Sequence, residues 1–286
     1  MALNLYLRPN DMKVDLQIDG SSTPTIAVLE RLIERVSRHV DRALNRRFFS
    51  ELATVQFHGN GASEFRLADQ STEPFRGDLI SVTTLKVDST GNGTFDKTLS
   101  SGTDYWLDPA NPSTINRPAR KILIPQGRTT SPQISVFPLS PRRIELAGNW
   151  GYSEETSDTG LTGTLDDASD AAMTASADAS STIYQGDTLL VESEQMYVTS
   201  VATAEVSVTR GVNGTTAAAH TTKTISRIVY PPDVVGAVQN EAVRAYRDTA
   251  TGYAGTLVPV EAGDMRAMYA RIRAVLDPYT LFVGFV

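Results

Sequence analysis

Apolar residues recur at three- and four-residue steps in the segment that follows Thr23-Pro24-Thr25. The stripe consists of Ile26, Leu29, Ile33, Val36, Val40 and Leu44. This spacing places the six side chains on one face of an α-helix, and threonine is a favoured residue at a helix N-cap. The pattern predicts one long N-terminal helix that ends near Arg46.

The helical period returns after Pro231-Pro232. One apolar stripe begins at Val234 and is interrupted by Gly252. Another, which ends before Pro278, consists of Met265, Met268, Ile272, Val275 and Leu276. The two stripes predict two C-terminal helices.

The segment between Leu52 and Trp150 has a different texture, with short runs of β-branched and aromatic residues that are typical of strands. Asn60-Gly61 and Asn92-Gly93 separate some of these runs. Such dipeptides favour tight hairpin turns because both residues tolerate a positive φ. We therefore expect a β-rich middle.

The segments Gly148–Tyr152 and Tyr230–Asp233 resemble the two ends of a single loop between a strand and a helix. A second β pattern separates them. Residues 153–181 are acidic and poor in apolar residues, so we expect an exposed connection or a weak helix there. Four strand-like runs follow. The sequence predicts an inserted β-barrel or β-sandwich domain at 153–228 and a core formed by 1–152 plus 229–286. The expected fold class is α+β: a helical bundle of one long N-terminal and two C-terminal helices, with a β-rich middle and the inserted small all-β domain.

Composition narrows the possible chemistry. The 286 residues include no Cys, which excludes disulfides and thiolate ligands, and only three scattered His residues. A net charge of −7 argues against a protein that coats nucleic acid by bulk attraction. No apolar run approaches the roughly 18 residues of a membrane span, and the first residues lack a signal-peptide pattern. We expect a protein made in the cytoplasm, with no membrane contact.

No arrangement of residues indicates catalysis. Glu192 and Glu194 lie two apart and would share a strand face, where they would either hold a cation or form a solvated surface; we favour the solvated surface. His220 has no visible base or carboxylate partner and is interpreted as a turn residue. We expect no catalytic residue, no metal site and no cofactor, and hence no enzyme.

Arginines form the most prominent charged pattern of the predicted N-terminal helix. They are Arg31, Arg35, Arg38 and Arg42. Such a face is either a solvated surface or a contact for phosphates or for an acidic partner surface. The methionine-containing stripe of the last helix is similarly either core or docking face. The apolar tail beyond Pro278 favours docking, because one helix cannot bury both its own methionine-containing stripe and this tail.

Three local segments, in this order, resemble the head–tail connector (adaptor) family of tailed bacteriophages. One is the helix that runs into Ala43-Leu44-Asn45-Arg46-Arg47-Phe48. Another is the pair Ile80-Ser-Val-Thr-Thr-Leu-Lys-Val and Gly102-Thr-Asp-Tyr-Trp-Leu. The third is Ile144-Glu-Leu-Ala-Gly-Asn-Trp-Gly-Tyr followed, after the insertion, by Pro231-Pro232-Asp233. The insertion departs from the compact family pattern. Its segments Gly186–Val201 and Val208–His220 resemble a small β-module of phage virion proteins.

The resemblance implies a structural protein of the virion neck, assembled in the host cytoplasm. It would form a homo-oligomeric ring, dodecameric in this family, below the portal protein. The ring would extend the DNA channel and offer a platform for a stopper or tail-completion protein. Carried onto this chain, portal docking falls on residues 264–286, with Met265, Met268, Ile272, Leu276, Tyr279, Leu281, Phe282 and Phe285 as the contact residues. The role of a channel lining or of inter-subunit charge falls on Arg31, Arg35, Arg38 and Arg42.

Two other functions stay open at this point. The chain would fit a phage tail or baseplate component that uses the inserted β-domain to contact a host surface or glycan. A virion-associated hydrolase built on the β-rich part is a different class, but the sequence offers no nucleophile–base pair for it.

Overall fold

The computed structural model describes residues 4–17, 26–71, 73–110, 117–127, 133–252 and 262–281, with the backbone alone at 248–252 and 262–265. The chain divides into two compact units. Residues 1–44 with 155–280 form the first unit, and residues 45–154 with 281–286 form the second.

The architecture is mostly β, and the prediction of a helical bundle with one long N-terminal helix is wrong. About 26% of the structure is helical. The α-helices of the described residues are α1 (Pro9–Leu16), α2 (Ile26–Leu44), α3 (Leu67–Gln70), α4 (Pro232–Gly252) and α5 (Ala262–Leu276). The apolar periodicity located α2, α4 and α5 but carried no information about how much of the core the strands would supply. The helix α2 ends where Asn45 takes a left-handed φ of 54°, a conformation that does not continue a helix.

In the first unit, six strands close into an antiparallel barrel in the order β10-β11-β12-β9-β8-β13. The strands are β8 (Thr156–Leu165), β9 (Ala172–Ala175), β10 (Thr188–Val191), β11 (Glu194–Ala202), β12 (Glu205–Thr209) and β13 (His220–Ile228). Closure pairs every strand on both sides, so no strand edge is left open. Apolar side chains such as Met173, Val198 and Ile225 fill the barrel interior.

The expectation of an exposed connection or weak helix at 153–181 is wrong, since β8 and β9 lie there. The strand β8 contains few apolar side chains, but its backbone pairs with β13 on one side and β9 on the other. Only alternate positions near its end, Gly163 and Leu165, are buried. The strand therefore exists because of its neighbours, which a local pattern does not reveal.

The second unit holds two antiparallel sheets, with the orders β1-β7-β3-β4 and β2-β6-β5. Their strands are β1 (Glu51–Gly59), β2 (Glu64–Arg66), β3 (Leu79–Val87), β4 (Lys97–Leu99), β5 (Trp106–Asp108), β6 (Lys121–Leu123) and β7 (Ser140–Trp150). One apolar core joins residues of both sheets, with Phe57 in contact with both Phe65 and Trp150.

Among the described residues, none of the helices combines the length and the apolar character that a membrane span requires.

Candidate functional site: the charged surfaces of the helices and the barrel

The helices α2, α4 and α5 contact one another and are called here the helical layer. The four arginines predicted to share a face of α2 are not equally exposed. Arg31 and Arg42 are exposed and Arg35 is half-buried, whereas Arg38 points into the unit. The Nε of Arg38 lies 3.1 Å from an Asp41 carboxylate oxygen, and its Nη2 donates to the backbone carbonyl of Asn4.

Arg38 helps to hold the segment that precedes α1. The guanidinium lies 5.2 Å from the ring centre of Tyr6, whose hydroxyl donates to Asp41 at 2.6 Å. Burial, and then the Asp41 carboxylate, raise the pKa of Tyr6 well above its ordinary value, so Tyr6 remains a neutral donor. Ser37 accepts the Tyr6 backbone N–H. Arg38 thus contributes to the fold, while a role of the other arginines in a channel or between subunits stays a prediction.

The only histidine of α2 also lies in a cationic environment. His39 is buried, and its Nδ1 is 3.3 Å from the hydroxyl of Tyr269 on α5. Burial lowers the pKa of His39, and the positive charges of Arg42 and Arg35 lower it further. The ring is therefore held in its neutral form near neutral pH.

Charges in the helical layer are sorted by burial. Glu30 and Asp41 of α2 and Glu241 of α4 are all buried. Among the side chains described in the three helices, Asp233 is the one exposed acid. The exposed bases are Arg31, Arg42, Arg244, Arg247, Arg266 and Arg273. The helical layer therefore presents a strongly cationic surface, although the chain as a whole is anionic. All of the basic residues in the sequence of these three helices, apart from His39, are arginines and none is a lysine.

An open groove of about 870 Å³ lies along α4 and α5. Arg271, Glu241 and Asp15 are among its lining residues, and Arg271 forms two 2.6 Å hydrogen bonds to the carboxylate of Glu241, a bidentate pair that fixes α5 on α4. Exposed Arg244 and Val275 also line the groove. Arginine is suited to bidentate recognition of carboxylates and phosphates, so this surface fits an anionic partner.

The residues predicted to dock on a portal protein lie mainly inside the fold. Met268, Ile272 and Leu276 are buried along α5, and Tyr279 donates to Asp233 at 3.2 Å. Leu281 is buried in the second unit. The side chains of Met265, Phe282 and Phe285 lie outside what the structure describes. Portal docking by this segment stays a prediction. Val275, an apolar residue of α5 that the sequence did not single out as a contact, is 60% exposed.

The barrel contains a buried carboxylate clasp centred on Glu194, which is 1% exposed in its side chain. Arg210 donates to both carboxylate oxygens at 2.7 Å, and the backbone N–H groups of Gly211 and Ala218 donate at 3.0 and 3.1 Å. The Nε2 of His220 lies 2.9 Å from the same carboxylate. Burial acts to raise the pKa of Glu194, but these hydrogen bonds outweigh it and lower the pKa to about 2.

This clasp overturns two expectations from the sequence. Glu194 does not belong to a solvated strand face, and His220 does have carboxylate partners, because its Nδ1 contacts Glu192 at 2.9 Å. Both ring nitrogens of His220 and both oxygens of Glu194 are occupied, so the arrangement holds the 210–220 loop against β11 and has no free group for catalysis. The signal was present in the sequence as Glu192-x-Glu194, but its partners lie 16 to 28 positions away.

The surface of the barrel has the opposite charge to that of the helical layer. Its exposed acids are Asp158, Asp166, Asp167, Asp178, Glu192 and Glu205. Its three bases, Arg210, Lys223 and Arg227, are all at least partly buried. Residues 155–228 hold ten acidic and three basic residues, so this segment has the same net charge of −7 as the entire chain.

A buried junction in the second unit brings together three of the segments on which the family resemblance rests. Arg46 is 1% exposed and donates to Asp78, next to β3, at 2.9 Å. Its guanidinium lies 4.9 Å from the ring centre of Tyr152, whose backbone N–H donates to the carbonyl of Arg47. Gly151 is required here because a Cβ would come within 2.2 Å of the Phe49 carbonyl oxygen. Burial raises the pKa of Asp78 despite the charge of Arg46.

Comparisons of the chain with protein-family models, with curated proteins and with solved structures found no match. Within the described ranges, no three His, Asp or Glu side chains gather as metal ligands. The features with functional content are the charged surfaces of the first unit and the segments that meet at Arg46.

Proposed function

We propose that the chain is a structural subunit of a bacteriophage head–tail connector, which assembles as a ring between the portal and the tail or stopper. The observation that carries this proposal is the junction around Arg46. The basic-aromatic step Arg46–Phe49, the strand β3 and the Gly148–Tyr152 segment are far apart in sequence but meet there through hydrogen bonds and ring contacts. These are three of the segments by which the chain resembles the family.

The use of the charged residues also supports a structural role. The buried ion pairs Arg46–Asp78 and Arg210–Glu194 join segments that are 32 and 16 residues apart. Breaking such pairs is strongly destabilising, because it leaves a buried charge without a partner. A chain whose first unit has a cationic and an anionic surface suits a protein that works through contacts with neighbouring subunits.

The experiment that tests the proposal is the mass of the purified full-length chain, measured alone and mixed with the portal protein of the same virus. A ring that binds the portal, or a monomer that assembles on it, is the expected result. A monomer that ignores the portal at all concentrations would contradict the proposal and favour a tail component that acts through its barrel.

A pair of variants locates the contact. Val275→Glu changes an exposed position within the segment predicted to dock, and we expect it to weaken portal binding. Val14→Glu on α1 is the matched control, since Val14 is 70% exposed and lies outside that segment. Equal binding by the two variants would remove the docking role from the exposed face of α5.

A further inference from the structure

The structure sorts charge between two surfaces of the first unit. On the helical layer, six arginines and one acid are exposed among the described side chains, and on the barrel six acids are exposed while each of the three bases is at least partly buried. From this we infer that the arginine surface of the helical layer binds the acidic barrel surface of a second copy of this chain. This inference rests on the proposed function in one respect, because a ring is the closed form of such a head-to-tail contact.

The contacts between the barrel and the helical layer leave the exposed charges of both at the surface. The barrel meets the helical layer through buried groups: Glu30 of α2 accepts from the Tyr197 hydroxyl at 3.0 Å and from Gln185 at 3.1 Å. The segment before α1 adds the ion pair between Arg8 and Asp187 at 2.8 Å. These contacts involve none of the exposed arginines or exposed barrel acids. The exposed charges therefore remain at the surface of the unit.

A second copy is the partner that the charges favour over a nucleic acid. A polyanion would be attracted by the arginines but repelled by the barrel, which has the entire net charge of the chain. A second copy satisfies both surfaces at once, because its barrel faces the arginines and its own arginines face the next barrel. A contact between two different surfaces of identical subunits is heterologous and closes into a ring when the rotation permits.

Several of the acids also have a local role, which guides the choice of variants. The carboxylates of Asp158, Asp167 and Asp178 accept backbone N–H groups two residues ahead and so hold turns. Glu192 pairs with Lys223 and His220. Asp166 and Glu205 are exposed and are the better positions for charge reversal.

The test is a charge exchange between two variants. The helix variant is Arg42→Glu with Arg244→Glu, and the barrel variant is Asp166→Arg with Glu205→Arg. We expect each variant alone to self-associate at least about tenfold more weakly than the unchanged chain. An equimolar mixture should regain association, because the acidic helices of one variant then meet the basic barrel of the other. Sedimentation velocity at about 50 mM and about 500 mM NaCl provides the measurement, with weaker association expected at the higher salt.

The matched control is Arg66→Glu with Arg142→Glu, at exposed arginines of the second unit. It changes the net charge by the same amount as the helix variant does. It should associate like the unchanged chain. Thermal unfolding of all variants verifies that each is folded. The inference is overturned if the unchanged chain does not associate, if association is insensitive to salt, or if the mixture is no better than its components. A chain that associates by charge but never binds a portal would contradict the proposed function and leave this inference standing. A chain that binds a portal but does not associate by charge would overturn this inference and leave the proposed function standing.

Discussion

The helical layer and the barrel bury their charged residues by different means. In the helical layer, the buried acid Glu241 has a single strong partner, the Arg271 guanidinium, and Asp41 is shared between Tyr6 and Arg38. In the barrel, Glu194 collects donors from an arginine, a histidine and two backbone amides. The difference shows that a buried carboxylate on a helix depends on neighbouring side chains, because helical N–H groups are already bonded, whereas a loop can supply its own backbone donors.

Hydrogen bonding and burial also compete in setting the pKa of each buried carboxylate of the barrel. The pKa of Glu194 falls to about 2 because hydrogen bonds outweigh the effect of burial. Asp187, also buried, has a raised pKa because burial outweighs its contact with Arg8. Glu194 accepts from an arginine, a histidine and two backbone N–H groups, whereas Asp187 accepts from Arg8 and from the backbone N–H of Tyr184.

The largest expected effect comes from breaking the barrel clasp. Glu194→Gln should reduce the free energy of unfolding by about 3 kcal/mol, because the Arg210 guanidinium, 8% exposed, is left buried without its counter-charge. Urea unfolding monitored by circular dichroism gives the value. Glu192→Gln is the control, since Glu192 is 47% exposed and its loss should be far smaller. Equal effects of the two substitutions would contradict the assignment of Glu194 as the centre of the clasp.

A smaller loss is expected from adding one methyl group inside the barrel. A Cβ at position 163 would lie 2.5 Å from the Met173 sulfur and 3.1 Å from the Ile225 Cδ1. Gly163→Ala should therefore destabilise the protein by about 1–2 kcal/mol, with the methionine side chain absorbing part of the strain. The measurement is the same urea midpoint. A combined Gly163→Ala, Met173→Leu variant tests whether the methionine side chain absorbs part of the strain, because a branched leucine side chain cannot shift aside in the same manner.

The two regions should respond to acid in different pH windows. The folded pKa of His39 lies below its ordinary value of 6.5, so its contribution is complete above about pH 6.5 and declines as the pH falls below that value. The folded pKa of Glu194 lies below 4.5, so its contribution is present above about pH 4.5 and is lost as the pH falls towards 2. In urea midpoints measured between pH 7 and pH 2, the first decline should be absent in His39→Gln and the second should be smaller in Glu194→Gln. Persistence of both declines in both variants would refute these assignments.

The smallest effect is a gain in the helical layer. Gly236 lies within α4, and a Cβ added there would meet no atom within 4 Å. Gly236→Ala should stabilise the protein by about 0.5–1 kcal/mol, because alanine has the higher helix propensity and no contact opposes it. An unchanged or lower thermal midpoint would show that the space beside Gly236 is needed by the folded chain. Together with Gly163→Ala, this substitution separates a free glycine position from a packed one.

The sequence located the helices better than it located the strands. The stripe from Ile26 to Leu44 matched α2, because helical periodicity is a local property of one segment. The strand β8 was missed because it contains few apolar residues and is held by pairing with β13 and β9. The arginines of α2 were recognised as charged, but the inward turn of Arg38 depends on Tyr6 and Asn4, which are 32 and 34 residues away.

Composition and local periodicity by themselves determined the absence of cysteine chemistry, the acidic character of residues 155–228 and the positions of three helices. Only the tertiary structure decided that the fold is mostly β, that Glu194 is the centre of a buried clasp, and that most exposed charges among the described side chains of the helical layer are arginines while three of its acids are buried. The physical reason is that burial and hydrogen bonding join residues that are distant in sequence. A carboxylate has the same local sequence whether it ends in solvent or among five donors, and its neighbours in space set its charge, its exposure and its role.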